Sequence, residues 1–148
     1  MRASSGNDFP PLRDWLPLLQ ESLAQSGRFR WRLQGTSMMP TLPPGCEIEI
    51  VPAPKELRSG LLVVFSNGAT LVAHRVVHRD GQYWITQGDG RWHPDLPLDA
   101  DQVLGTVASA YQGEKRIWPR RFGRVTRWFW VARAHLLWTL RQAWRLTH

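Results

Sequence analysis

The chain contains only one cysteine, Cys46, which excludes an internal disulfide and a metal site built from several thiolates. Long apolar runs are missing as well. The longest in the C-terminal tail, Trp128 to Ala132, falls far short of the roughly 20 residues a membrane-spanning helix needs. Met1 to Pro11 holds Asp8 and two prolines but no apolar stretch, so no secretory signal is expected. The expected location is the cytoplasm, with peripheral membrane contact left open. Acidic residues are absent from Lys115 onwards, a stretch with one Lys and eight Arg. The formal net charge of +7 therefore resides in that tail and residues 1–114 are slightly acidic in balance. Any contact with nucleic acid or anionic lipid rests on the tail alone.

What is present belongs to a globular domain: 148 residues, 43% hydrophobic and 21% charged, with 9 Trp, outside the regime of disorder. Asp14 is placed to cap a short helix with Pro17 in its first turn and Leu16, Leu19 and Leu23 at helical spacing. Gly27 is its stop. From Arg28 the period becomes two: Phe29, Trp31 and Leu33 alternate with Arg30, Arg32 and Gln34, as in a half-buried strand. Further strands are expected at Cys46–Ile50, Leu61–Phe65, Leu71–Val77, Gln82–Gln87 and Val103–Tyr111, with Asn67-Gly68 and Asp80-Gly81 as turns. The expectation is a mainly β fold, a curled antiparallel sheet or small β-barrel, with a short N-terminal helix and a C-terminal amphipathic helix. Composition breaks near Gly113, dividing a domain over 1–113 from a basic, Trp-rich helical tail over 114–148.

Two residues carry reactive chemistry at suggestive places. Ser37 lies where the first strand ends, between Gly35 and Pro40, so the turning backbone can present its hydroxyl and its N–H together. A serine is a weak nucleophile without a base, and alone Ser37 also fits an ordinary turn serine. His74 sits in Leu71-Val72-Ala73-His74-Arg75-Val76-Val77, where alternation puts it on one face with Val72 and Val76 and Arg75 on the other. Alone, it equally fits a half-buried histidine bonded to a backbone carbonyl. Cys46 alternates in register with Ile48 and Ile50 and reads as a small core residue. His93 reads as a loop histidine, no cluster has metal-ligand spacing, and no cofactor is expected.

Taken together, these segments resemble a known family. Gly35-Thr36-Ser37-Met38-Met39-Pro40-Thr41-Leu42-Pro43-Pro44-Gly45 is similar to the serine box of type I signal peptidases and their relatives. His74-Arg75-Val76-Val77 resembles their base-bearing strand, with His as in the endoplasmic-reticulum-type and archaeal members. Thr86-Gln87-Gly88-Asp89 and Val103-Leu104-Gly105-Thr106-Val107 resemble the late Gly-Asp box and the closing strand. The blocks occur in the family's order over roughly Arg28 to Val107. The resemblance implies a serine endopeptidase that removes a leader, signal or propeptide from a precursor, with Ser37 as nucleophile and His74 as general base. It also implies that Asp95, six residues after Asp89, is the carboxylate partner of His74, and that Asp89 holds the loop near Ser37. Histidine suits the task, since its ordinary pKa is about 6.5 whereas a lysine base must be brought down from about 10.4. The chain departs from the pattern at Gly35, which bears no hydroxyl for an oxyanion donor, at Cys46 and Leu61 in place of Asp, and at Gly90 in place of Asn.

Within Arg124 to Leu146, Phe129, Leu136, Leu137, Leu140, Ala143 and Trp144 fall on one helical arc, with Arg124, Arg127, His135, Arg141 and Arg145 opposite and Arg133 the one charge in the apolar face. Such a helix suits an anionic membrane surface, with Arg133 reaching to the headgroups, or packs its apolar arc on the sheet. Two other functions compete: a self-cleaving repressor-like peptidase, which should carry a helix-turn-helix in the 34 residues before the serine box, and a non-catalytic lipid- or nucleic-acid-binding module using the tail.

Overall fold

The computed structural model describes residues 11–119 and 123–147; the expectation for Met1 to Pro11 therefore lies almost wholly outside the described residues. Helix α1 spans Leu12–Ser26 and buries Leu12, Leu19 and Leu23. Burial of Leu12 draws the start one turn earlier than the Asp14 cap expected from sequence. Asp14 instead lies inside the first turn, where a carboxylate complements the helix dipole. Pro17 consequently falls within the helix and forfeits one i→i−4 hydrogen bond. Gly27 closes α1 in the left-handed conformation at φ 72°.

Strands β1 (Phe29–Arg32), β2 (Glu47–Val51), β3 (Leu62–Ser66), β4 (Leu71–Asp80), β5 (Tyr83–Gln87), β6 (Val103–Gln112) and β7 (Lys115–Trp118) follow. All pairs are antiparallel, in the order β1-β2-β6-β3-β4-β5, with β7 added on β6. The sheet is open, so of the two architectures expected the barrel is the one it does not form. Strand β7 comes from the stretch read as helical tail, and the helix proper, α2, begins at Gly123 and runs to Thr147.

Apolar alternation sorts the core into two faces. Leu62, Val64, Leu71 and Ala73 join α1 and β2 in the larger cluster. Val63, Phe65 and Val76 join Leu57 and Leu98 in the second, with Val72 packed against it. The continuous apolar run of β3 is explained by burial on both sides. Trp15 of α1 stacks on Trp31 at 4.6 Å, which covers the outer half of β1. Helix α2 packs on β4. No helix among the described residues is long and apolar enough to cross a membrane.

Candidate active site

Ser37 lies in the turn-rich segment joining β1 to β2 and is half-buried. The segment is pinned from several directions. Met38 and Leu42 are core residues, Met39 N–H donates to the Thr36 carbonyl at 3.0 Å, and Gly90 N–H donates to the Ser37 carbonyl at 2.8 Å. The Ser37 N–H forms no hydrogen bond among the described residues.

The Gly88-Asp89-Gly90 turn after β5 packs directly on this segment. A Cβ on Gly88 would collide with the Ser37 carbonyl oxygen and stand 3.1 Å from Nε2 of His74. On Gly90 it would lie 2.9 Å from the Thr36 carbonyl oxygen and 3.0 Å from that of Met39. Both positions need glycine for close backbone approach, and Gly88 is wedged between the serine segment and the imidazole.

His74 is buried on β4, on the face it shares with Val72 and Val76, with its ring edge-on to Phe65 at 6.0 Å. Its Nδ1 lies 2.6 Å from Oδ2 of Asp95. Because a carboxylate only accepts, Nδ1 is the nitrogen that carries the proton in the neutral ring, the tautomer that leaves the lone pair on Nε2. Nε2 is buried and has no hydrogen-bond partner among the described residues. Asp95 reaches His74 because its segment lines up along β5: Asp95 N–H donates to the Thr86 carbonyl at 2.8 Å, and Trp84 and Leu98 exchange backbone hydrogen bonds at 2.8 and 2.9 Å. Thr86 Oγ1 donates to the same Oδ2 at 2.6 Å.

Asp89 faces elsewhere. Its carboxylate takes two parallel hydrogen bonds from Arg75, Nε to Oδ1 at 2.8 Å and Nη2 to Oδ2 at 2.7 Å, and a third from Thr41 Oγ1 at 2.5 Å. Both side chains of the ion pair are 2% exposed. Arg75 also donates Nη1 to the Gly60 carbonyl at 3.0 Å and lies over the Trp118 ring at 5.5 Å. Two carboxylates six residues apart thus hold opposite faces of β4: Asp95 meets His74, and Asp89 meets Arg75.

Arg133 of α2 donates Nη1 to the Asp89 carbonyl at 3.1 Å, with its guanidinium over Trp92 at 4.9 Å and Trp130 at 5.4 Å. The one charge in the apolar arc therefore turns inward, instead of reaching outward to headgroups. That anomaly in the helical pattern was the available signal for its role. Thr41 and Thr86 carry no comparable mark, because a hydroxyl in a turn or strand is commonplace.

Ser37, His74 and Asp95 all line one cleft of about 620 Å³, whose walls include Phe65, Leu71, Val72 and Leu96. Arg91 stands at its rim, exposed. Cys46 is outside the cleft, 1% exposed in the core, and burial pushes its thiol above the ordinary value of 9.0, as befits an inert packing residue. His93 is exposed, and no group of His, Cys, Asp or Glu among the described residues is arranged to hold a metal ion. No family model, curated protein or solved structure matches the chain.

Proposed function

We propose that this chain is a serine endopeptidase of the type I signal peptidase kind, acting on a leader, signal or propeptide of a precursor met in the cytoplasm or at its membrane face. The observation that carries the reading is His74: its Nδ1 is held by Asp95 at 2.6 Å while its buried Nε2 is unpartnered among the described residues and borders the cleft that Ser37 lines. A base oriented by a carboxylate next to a serine is the arrangement that activates a hydroxyl.

In the proposed reaction, Ser37 Oγ attacks the scissile carbonyl as Nε2 of His74 takes its proton. The imidazolium that forms is stabilised by Asp95 through Nδ1, and Thr86 keeps that carboxylate in place. The Ser37 N–H supplies one donor to the oxyanion. His74 then returns its proton to the departing amine, leaving an acyl-enzyme on Ser37. A water deprotonated by His74 then attacks the ester carbonyl, and His74 passes that proton to Ser37 Oγ as the ester bond breaks, releasing the carboxylic acid product and restoring the serine. The cleft walls of Phe65, Leu71, Val72 and Leu96 fit apolar side chains beside the cleaved bond.

The test is cleavage of a pool of chemically diverse peptides, read by mass spectrometry, with the unmodified protein and with Ser37→Ala. The unmodified protein is expected to cut a subset at defined bonds, and Ser37→Ala, which removes one oxygen from a half-buried turn, to cut none while keeping its melting temperature. Equal cleavage by both would end the serine-peptidase reading.

A further inference from the structure

The face of α2 that the sequence marks as apolar is not the one that packs. Val131 and Ala134 are the buried residues, and Trp130, Arg133, His135 and Leu137 are half-buried. On the other side Val125, Phe129, Leu136 and Leu140 are all exposed, at 58% or more. At 100° per residue these four fall within an arc of roughly 60°. Arg133, the one charge on that side, is withdrawn from it by its bond to the Asp89 carbonyl. Trp92, 66% exposed, lies against the same guanidinium and extends the apolar stripe onto the loop between Asp89 and Asp95.

We propose that this stripe docks on an anionic lipid bilayer, with α2 lying in the plane of the interface. Charge selects the occupant. The stretch from Lys115 to the C-terminus has one Lys, eight Arg and no acidic residue, which suits a negatively charged headgroup layer. Arg141 and Arg145 are exposed, about 100–140° around the helix from the nearer edge of the stripe, and the indoles of Trp128 and Trp144 are exposed on its two sides, the residue type that settles where hydrocarbon meets headgroup. Every described residue from Thr139 to Leu146 is exposed, so this part of the helix projects beyond the sheet it is anchored to. The docking follows from the helix and its charge, and stands whether or not Ser37 is a nucleophile.

Flotation with phosphatidylcholine vesicles, with and without phosphatidylglycerol, tests it. The full chain is expected to float with the anionic vesicles, roughly tenfold or more tighter than with neutral ones at low salt. The double substitution Leu136→Glu and Leu140→Glu should abolish flotation, and Arg141→Gln with Arg145→Gln should weaken it. Both variants keep the packed face, so their melting curves should match that of the parent chain; if the Glu pair unfolds, Leu136→Ser with Leu140→Ser serves instead. Flotation unchanged by the apolar substitutions, or equal on neutral vesicles, would overturn the proposal. So would failure to float combined with either of two outcomes: tight binding of an RNA or DNA oligonucleotide, or a solution dimer that the Leu136 and Leu140 substitutions dissociate.

Discussion

Asp89 and Asp95 show how one residue type takes two tasks from its surroundings. Asp89 is buried with a bidentate arginine and a threonine hydroxyl. Removing one member of such a buried pair strands the other, at a cost of about 3–5 kcal/mol. Asp89→Asn is therefore expected to lower thermal stability severely. Asp95 is 28% exposed and its oxygen serves His74 and Thr86. Asp95→Asn should leave stability nearly intact and, on the peptidase reading, reduce kcat on the order of 10³–10⁴-fold by disturbing the imidazole tautomer. Measuring melting temperature and kcat for both variants separates the roles; near-normal kcat in Asp95→Asn would reduce the site to a Ser-His pair. Ser37 and His74 were singled out by the resemblance of their segments to a serine box and a base-bearing strand, since their local patterns alone equally fit an ordinary turn serine and a half-buried histidine. Thr41 and Thr86 were not, since their partners are 48 and 9 residues away and only the folded chain brings them together.

Among the elements, the seam between α2 and β4 holds a titratable pair. His78 of β4 lies 5.0 Å from the His135 ring and 5.4 Å from that of Trp138, and its Nδ1 is buried with no hydrogen-bond partner among the described residues. Burial and then His135 push His78 below its ordinary value of 6.5, against a smaller opposing pull from Asp80. The unfolded chain therefore binds a proton here more readily than the folded one. The stabilisation from neutral His78 is present above pH 6.5 and is lost as pH falls below it. Protection factors of the α2 amides, which correct for the pH dependence of intrinsic exchange, are expected to fall on acidification from neutral pH to about pH 5, with His78→Gln flattening that response; protection factors independent of pH over this range would contradict the assignment. Period-two alternation and the Asn67-Gly68 and Asp80-Gly81 turns made β1 to β6 readable from the chain. The four-residue β7 was not, because Lys115 and Arg116 hide its pairing to β6. Whether the apolar arc of α2 packs or faces outward was left open by the sequence for a different reason: helical periodicity locates an apolar arc, and the shape of the sheet decides which residues meet it.

Across the whole molecule, the candidate site is assembled from the β1–β2 connection, the middle of β4 and the loop after β5, and α2 braces it from outside. Among the described residues neither core cluster includes a residue of α2, whose buried Val131 and Ala134 lie outside both. Deleting residues 123–148 should therefore leave a folded sheet with a lower melting temperature, loosen the Asp89 turn that Arg133 holds, and abolish binding to anionic vesicles. Near-ultraviolet circular dichroism and flotation of the truncated chain check this, and global unfolding would show that α2 belongs to the core. The central claim is covalent: Ser37, with its proton taken by His74, carries an acyl group during turnover. Acid-quenching the protein during turnover of an activated ester or a cleaved peptide, followed by mass-spectrometric mapping, tests it most directly. The account predicts one acyl adduct, on the tryptic peptide containing Ser37, absent in Ser37→Ala and strongly diminished in His74→Ala. An adduct on another side chain, or turnover that persists undiminished in Ser37→Ala, would contradict it.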